Sequence, residues 1–291
     1  MTLAADRWPA WLALDGAPTG HLGGARAVWR WELGKLTGQV RLWAVIALCT
    51  AGPFLVAVAV TAQSSVPQDT LFGQWLHQSG LALPLVVLGF VGQWALPLLT
   101  SVVSGDMFSA EDRFGTWKTV MTRSCSRSAL FTGKLLAAMT YTTIMLVLLG
   151  GASLAAGLIL GSQPVVGLSG QLVPAGHAAA VIVASWATQL PPLLGFSALA
   201  VLLSVTTRSS PVGMGAPLLI GLLMQLLTLV NMPRWLRATF LTTPFASWHG
   251  LWVQPQFYGP LRQGVVTSAV WFIVCAVTAW AIFRRRSIAP S

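Results

Sequence analysis

Apolar residues run along this chain in long unbroken blocks, without the alternation of a strand that is polar on one face. Six stretches hold no Asp, Glu, Lys, Arg or His: Leu42 to Ala62, Gly80 to Val103, Leu135 to Leu160, Ala178 to Thr206, Val212 to Val230 and Val265 to Phe283. A helix needs roughly 20 such residues to cross about 30 Å of hydrocarbon. The pattern therefore predicts an all-α integral membrane protein with six transmembrane helices spread over residues 42–283.

Three segments outside these blocks have their own pattern. From Leu22 to Trp43 the period becomes helical. Leu22, Ala25, Trp29, Leu33, Leu36, Val40 and Trp43 share one arc, Arg26, Arg30 and Arg41 flank it, and Glu32 and Lys35 pair at i, i+3 on the other edge. This predicts an amphipathic helix lying on the membrane ahead of the first span, bent at Gly34 and Gly38. Residues 104–134 begin with Ser109 ahead of Asp112, a capping-box-like start, and Gly115 allows a break before Thr116, so a short helix-turn-helix standing off the membrane is expected. With five cations, three acids, Phe114 and Trp117, this loop reads either as a docking element or as a solvated connector. Residues 231–264 are too rich in Trp235, Phe240, Phe245, Trp248 and Trp252 for a solvated loop, and Pro233, Pro244, Pro255 and Pro260 cut them too short to span. They read as short re-entrant helices in the outer leaflet or as an interfacial aromatic belt.

Composition sharpens this picture. Only 8% of the 291 residues are charged, 55% are hydrophobic and the mean hydropathy is +0.72, which excludes a water-soluble globular enzyme and a disordered chain. The 17 Lys and Arg against seven Asp and Glu follow the topology. Fourteen of the cations fall in the N-terminal segment, residues 104–134, the short connection at Arg208 and the end after Phe283, against three (Arg234, Arg237, Arg262) in the alternate connections. Cations concentrate on the cytoplasmic side, so both termini are expected there, with residues 1–41 as tail plus interfacial helix and 284–291 as a basic tail. The net charge of +10 then reflects topology and anionic headgroups, and no nucleic-acid partner is expected. Residues 1–41 lack the early apolar core of a cleaved signal, and Cys49, Cys125 and Cys275 read as small buried hydrophobes rather than a disulfide framework.

Chemistry is sparse. Every acid lies at or before Asp112, and His21, His77, His177 and His249 are scattered outside the apolar blocks, so neither an acid-base pair nor a metal cluster assembles and a membrane-embedded enzyme is disfavoured. Spans without ionisable residues also argue against self-powered ion coupling. Gln93, Trp94, Tyr141, Trp186, Gln189 and Gln225 remain near span centres, either lining a path for an amphipathic substrate or bridging helices. Pro53, Pro84, Pro97, Pro191, Pro192 and Pro217 predict kinks. Ser153, Gly157 and Gly161 form a small-residue ridge suited to packing within the chain.

The loop at 104–134 resembles that of the permease subunits of type-2 ABC exporters, the bacterial drug and antibiotic efflux family. Glu111, Asp112, Gly115 and Thr116 correspond to the family's acidic and Gly-Thr start, Thr122, Arg123, Ser126 and Arg127 to its turn, and Gly133 and Lys134 to its end. Ser124 and Cys125 stand where the family usually has Pro, and Trp117, Val120 and Met121 replace leucines. The likeness extends to the N-terminal helix with Trp29, Glu32 and Lys35, six spans, and the segment around Pro233 and Pro244. The resemblance implies a multi-pass permease of the cytoplasmic membrane, pairing with itself or a similar permease and driven by two separate ATPase subunits that bind ATP and Mg. It implies a coupling role toward the ATPase for Asp106, Glu111, Asp112, Arg113, Gly115, Thr116, Trp117, Arg123 and Arg127. The cargo expected is an apolar drug or antibiotic, with a lipid, glycan or ion as the alternative. No P-loop is present, since Gly34-Lys35 and Gly133-Lys134 are each followed by Leu and lack the upstream glycine. No cofactor is expected on this chain.

Overall fold

The computed structural model describes residues 21–62, 71–117 and 126–286. Its elements are α1 (His21–Thr37), α2 (Val40–Ala62), α3 (Leu83–Gly92), α4 (Ala95–Ser104), α5 (Ser109–Arg113), α6 (Arg127–Leu160), α7 (Ala175–Ala187), α8 (Leu190–Thr207), α9 (Ser210–Leu227), α10 (Arg234–Ala238) and α11 (Gly259–Arg285), with short 3-10 turns at Gly73–Trp75 and Gly80–Ala82 and a longer one at Thr243–Trp252. Five helical segments are long and apolar enough to cross a membrane: α2, α6, α7 with α8, α9 and α11. The bent pair formed by Gly80–Gly92 and α4, with 59° between its halves, makes a sixth if it is one span. The chain is thus a mostly helical, multi-pass membrane protein.

The second apolar block is broken and bent. Pro97 has no N–H to donate back to the turn before it, and it sits in the first turn of α4, where that N–H is not needed; the helix restarts after Gln93 and Trp94. Pro84, Pro191 and Pro192 likewise stand in first turns, so of the six prolines expected to kink helices only Pro53 and Pro217 lie inside one. Two boundaries also move. The third span begins at Arg127, because the Ser126 side chain caps it by accepting from the Ala129 N–H. The last begins at Gly259. A two-residue antiparallel ladder, Val165–Val166 with Leu172–Val173, joins α6 to α7 and was not foreseen in an all-α chain.

The chain also departs from a single amphipathic surface helix over 22–43. The helix stops at Thr37, and Val40 and Trp43 belong to the exposed start of α2. The face of α1 that packs is Ala25, Val28, Glu32 and Leu36, and it packs on α6. Close approach makes this possible: a Cβ on Gly133 would lie 2.6 Å from Val28 Cβ and 2.7 Å from the Ala25 carbonyl.

At the opposite end of the bundle residues 231–264 fold inward. Phe245 packs on Phe196, Phe72 packs on Trp248 and Trp252, and Trp252 Nε1 donates to Ser185 Oγ over 3.0 Å. Pro244, Phe245 and Trp248 are buried, whereas Trp235 is 70% exposed and Pro233 only precedes α10. The small-residue ridge acts within the chain at Gly157, where an added Cβ would lie 2.7 Å from the Gly80 carbonyl; Gly161 faces open space.

Candidate functional site

Packing of α1 on α6 carries Glu32 to a lysine 102 residues away. Lys134 Nζ donates to Glu32 Oε1 at 2.6 Å, to Glu111 Oε1 at 3.1 Å and to the Met107 carbonyl at 3.0 Å. An ammonium has three donors, and all three are used. The side chain is 0% exposed, which a lone charge could not sustain. Lys35 reaches Glu111 from the other side at 2.5 Å, and Thr116 Oγ1 donates to the second Glu111 oxygen. Four opposite charges therefore close on one another and join α1, α5 and α6. Glu32 and Lys35 do not pair as neighbours on α1; each faces the interior and takes a partner from elsewhere.

The other acids of the loop are held in the same way. Asp106, 1% exposed, receives Arg41 at 2.5 Å and Arg113 at 3.8 Å. Asp112 accepts from Trp117 Nε1 at 2.9 Å and from Arg286. Arg127 donates to the Arg284 and Arg286 carbonyls at 2.9 and 2.7 Å, clasping the last turn of α11. Beneath them Phe108, Trp117, Phe131 and Phe283 form one aromatic cluster. Serines fasten the loop to the remaining helices: Ser204 Oγ accepts from the Ser109 N–H and donates to Ser109 Oγ, which also meets Ser210 Oγ, and Ser104 meets Ser197.

Over residues 104–117 the loop packs into the bundle rather than standing off it; the helix expected from Thr116 onward lies largely outside the described residues. Ser109 is no N-cap: it lies inside α5, buried, with its hydroxyl donated to the Gly105 carbonyl. Among its described residues Arg113, Phe114 and Gly115 are outward, the last at φ 63°, a left-handed turn suited to glycine. Arg123 lies outside the described residues. Lys134, expected at the membrane edge, stands two turns into the third span helix, so that helix does carry an internal ionisable group.

Burial would raise the Glu111 pKa, but the charges of Lys134 and Lys35 and the hydrogen bonds from Lys35 and Thr116 outweigh it and hold the carboxyl at about 2 rather than the ordinary 4.5. A depressed folded-state pKa contributes stability that is fully present above 4.5 and is lost as pH falls toward about 2. The melting temperature of the detergent-solubilised protein is expected to fall across that window more steeply than that of Glu111→Gln. Parallel curves would show that Glu111 is not held this way.

Residues 68–289 match a family described as a protein of unknown function, DUF2705. The chain belongs to that family. No curated protein matches it. The stretch matched to DUF2705 includes Asp106, Glu111, Lys134 and the clasp at Arg127, while Glu32 and Lys35 lie ahead of it.

The polar residues near the span centres of this DUF2705 chain do not gather on one path. Gln225 Nε2 donates to Gln93 Oε1 at 2.8 Å, tying α9 to the break between α3 and α4. Gln189 Nε2 donates to Thr188 Oγ1 at 3.1 Å and to the Phe245 carbonyl at 3.4 Å, and Tyr141 donates to the Leu99 carbonyl at 2.9 Å. Trp186 is buried with its ring over Gly150, and Trp94 is exposed. Three of these four hydrogen bonds bridge separate elements, and the fourth, Gln189 to Thr188, joins neighbours in sequence. Gln93 borders a cavity of about 290 Å³ between α3 and the folded-in segment, where Leu85, Gly89, Phe245, Trp248 and His249 also lie.

Proposed function

We propose that this chain is the permease subunit of an ATP-driven exporter, with its termini and the 104–117 loop cytoplasmic, acting beside a second permease and two separate ATPase chains. It is a transport subunit and not an enzyme; ATP and Mg belong to the partner. The observation that carries the reading is how the loop is fastened. Buried ion pairs and serine contacts tie it to α1, α6, α8 and α9, and Asp112 ties it to Arg286 at the end of α11, while Arg113, Phe114 and Gly115 stay outward. A push on that outward tip would move several span ends together, as coupling requires. The Gly133-Lys134 pair gains a physical reason too: the glycine lets α1 approach and the lysine binds both glutamates. The acids act in this reading by holding the loop, and the tip makes the contact with the partner.

A tagged full-length chain purified from its native host is expected to bring down a Walker-motif ATPase. Phe114→Asp should lower that association and substrate-stimulated ATP hydrolysis by about tenfold or more, the scale of removing an interface anchor, with little change in melting temperature because the side chain is exposed. A fully active chain never found with an ATPase would sink the proposal. The expected cargo is an amphipathic or hydrophobic small molecule moved outward by alternating access, measured as efflux and resistance; export of a lipid or glycan would change the cargo alone.

A further inference from the structure

The cavity beside α3 has features that bundle packing does not require. Its size, about 290 Å³, is at the lower end of small-ligand sites. Leu71 and Phe90 border it and are more than half exposed, so its rim is apolar. Gly89 borders it as well, and a Cβ there would meet nothing within 4 Å. None of the described residues bordering it is an acid, a lysine or an arginine.

Two polar groups at its wall have capacity left over. Gln93 accepts from Gln225 through Oε1, and among the described residues its own Nε2 has no acceptor. His249 Nδ1 lies 2.7 Å from the Ala246 carbonyl, which can only accept, so the ring proton is on Nδ1 and Nε2 is a bare acceptor. Burial outweighs that hydrogen bond and lowers the His249 pKa, which keeps the ring neutral near pH 7. The ring is further fixed by stacking on Trp248 at 4.0 Å. One donor and one acceptor, both uncharged, thus stand at the wall of a cleft with an apolar rim in a multi-pass membrane protein.

We infer that this cleft binds a neutral single-chain amphiphile dissolved in the bilayer, its hydroxyl or amide taken by Gln93 and His249 and its chain lying along Gly89. A carboxylate or quaternary ammonium is disfavoured because no charged group compensates its desolvation. The site goes beyond the permease reading and stands without it, since binding needs no ATPase.

The test uses the full-length protein in phosphatidylcholine nanodiscs with a diazirine-bearing long-chain alcohol, the matching fatty acid and the matching trimethylammonium compound, labelled peptides being identified by mass spectrometry. The alcohol is expected to mark residues 85–93 and 245–249 saturably, to be competed by unlabelled alcohol, and to exceed both charged probes by about tenfold. Gly89→Phe, which fills open space, should abolish the labelling at an unchanged melting temperature. His249→Phe keeps the stack on Trp248 and removes the acceptor, and should weaken labelling about fivefold, the scale of one hydrogen bond. Equal, unsaturable labelling by all three probes, or labelling untouched by Gly89→Phe or by His249→Phe, would overturn the assignment.

Discussion

Lys134→Met is expected to be the most damaging single change outside the loop tip, lowering stability by about 3–5 kcal/mol, the usual cost of stranding a buried charge. The loss comes from what remains. Glu32 has Lys134 as its ion-pair partner and is 2% exposed, so it would keep a charge with neither water nor a cation. Glu111 fares better, because Lys35 and Thr116 still hold it. A second change therefore separates the ion pair from mere packing: Glu32→Leu combined with Lys134→Met should recover most of the loss, since an apolar replacement of a whole buried pair is often neutral. Thermal unfolding in detergent of the wild type, both single variants and the double variant closes the cycle. Should Lys134→Met fail to accumulate, the double variant still reports. Additive losses, with no recovery, would show that Lys134 and Glu32 do not face each other.

That lysine also marks where the sequence was and was not legible. Charge-free blocks found the apolar helices because hydrocarbon tolerates nothing else over that length. The same criterion cut the third helix at Leu135 and left Lys134 outside it. The compensating groups lie 102 and 23 residues away in sequence, and no local period points to them. Ser126 ahead of Ala129 was the available local signal, a side-chain cap that starts the helix before the charge. The second block misled in the opposite way. It is continuous in composition, yet Pro97 in a first turn divides it, and composition alone does not distinguish a kink from a restart.

The loop at 104–117 shows the same limit for the candidate site. Three acids among five cations made residues 104–134 unusual by residue type, but a list of charges does not say which way they face. Once Asp106 and Glu111 are nearly inaccessible, it is Arg113, Phe114 and Gly115 that, among the described residues of the loop, can meet another molecule. Residues 231–264 were more legible, because large aromatics bury and prolines end helices, and both effects are local. The partners that fix the segment, Ser185, Phe196 and Gln189, come from distant helices and were invisible.

Gly105→Ala is expected to cost about 3 kcal/mol, at the upper end of overpacking losses, although it adds a single methyl. Its Cβ would lie 2.1 Å from the Gly213 carbonyl oxygen, and a Cβ on Gly213 would lie 2.2 Å from the Gly105 carbonyl oxygen. Backbone meets backbone there, with no side chain to rotate away, so the base of the loop and the start of α9 must separate. Separation would strain the neighbouring Ser109–Ser204–Ser210 contacts, which join the same elements. Gly213→Ala should do the same damage by the same route, and the two together should cost much less than the sum, because one displacement relieves both clashes. Gly215→Ala is the control, two residues along α9 with nothing within 4 Å of its added Cβ. There the gain in helix propensity acts alone, and a stabilisation of about 0.5–1 kcal/mol is expected. Opposite signs at positions two residues apart are hard to obtain from propensity or lipid contact. Melting temperatures of the four variants, measured in one detergent, decide it: a neutral Gly105→Ala would mean that α4 and α9 do not touch at this point.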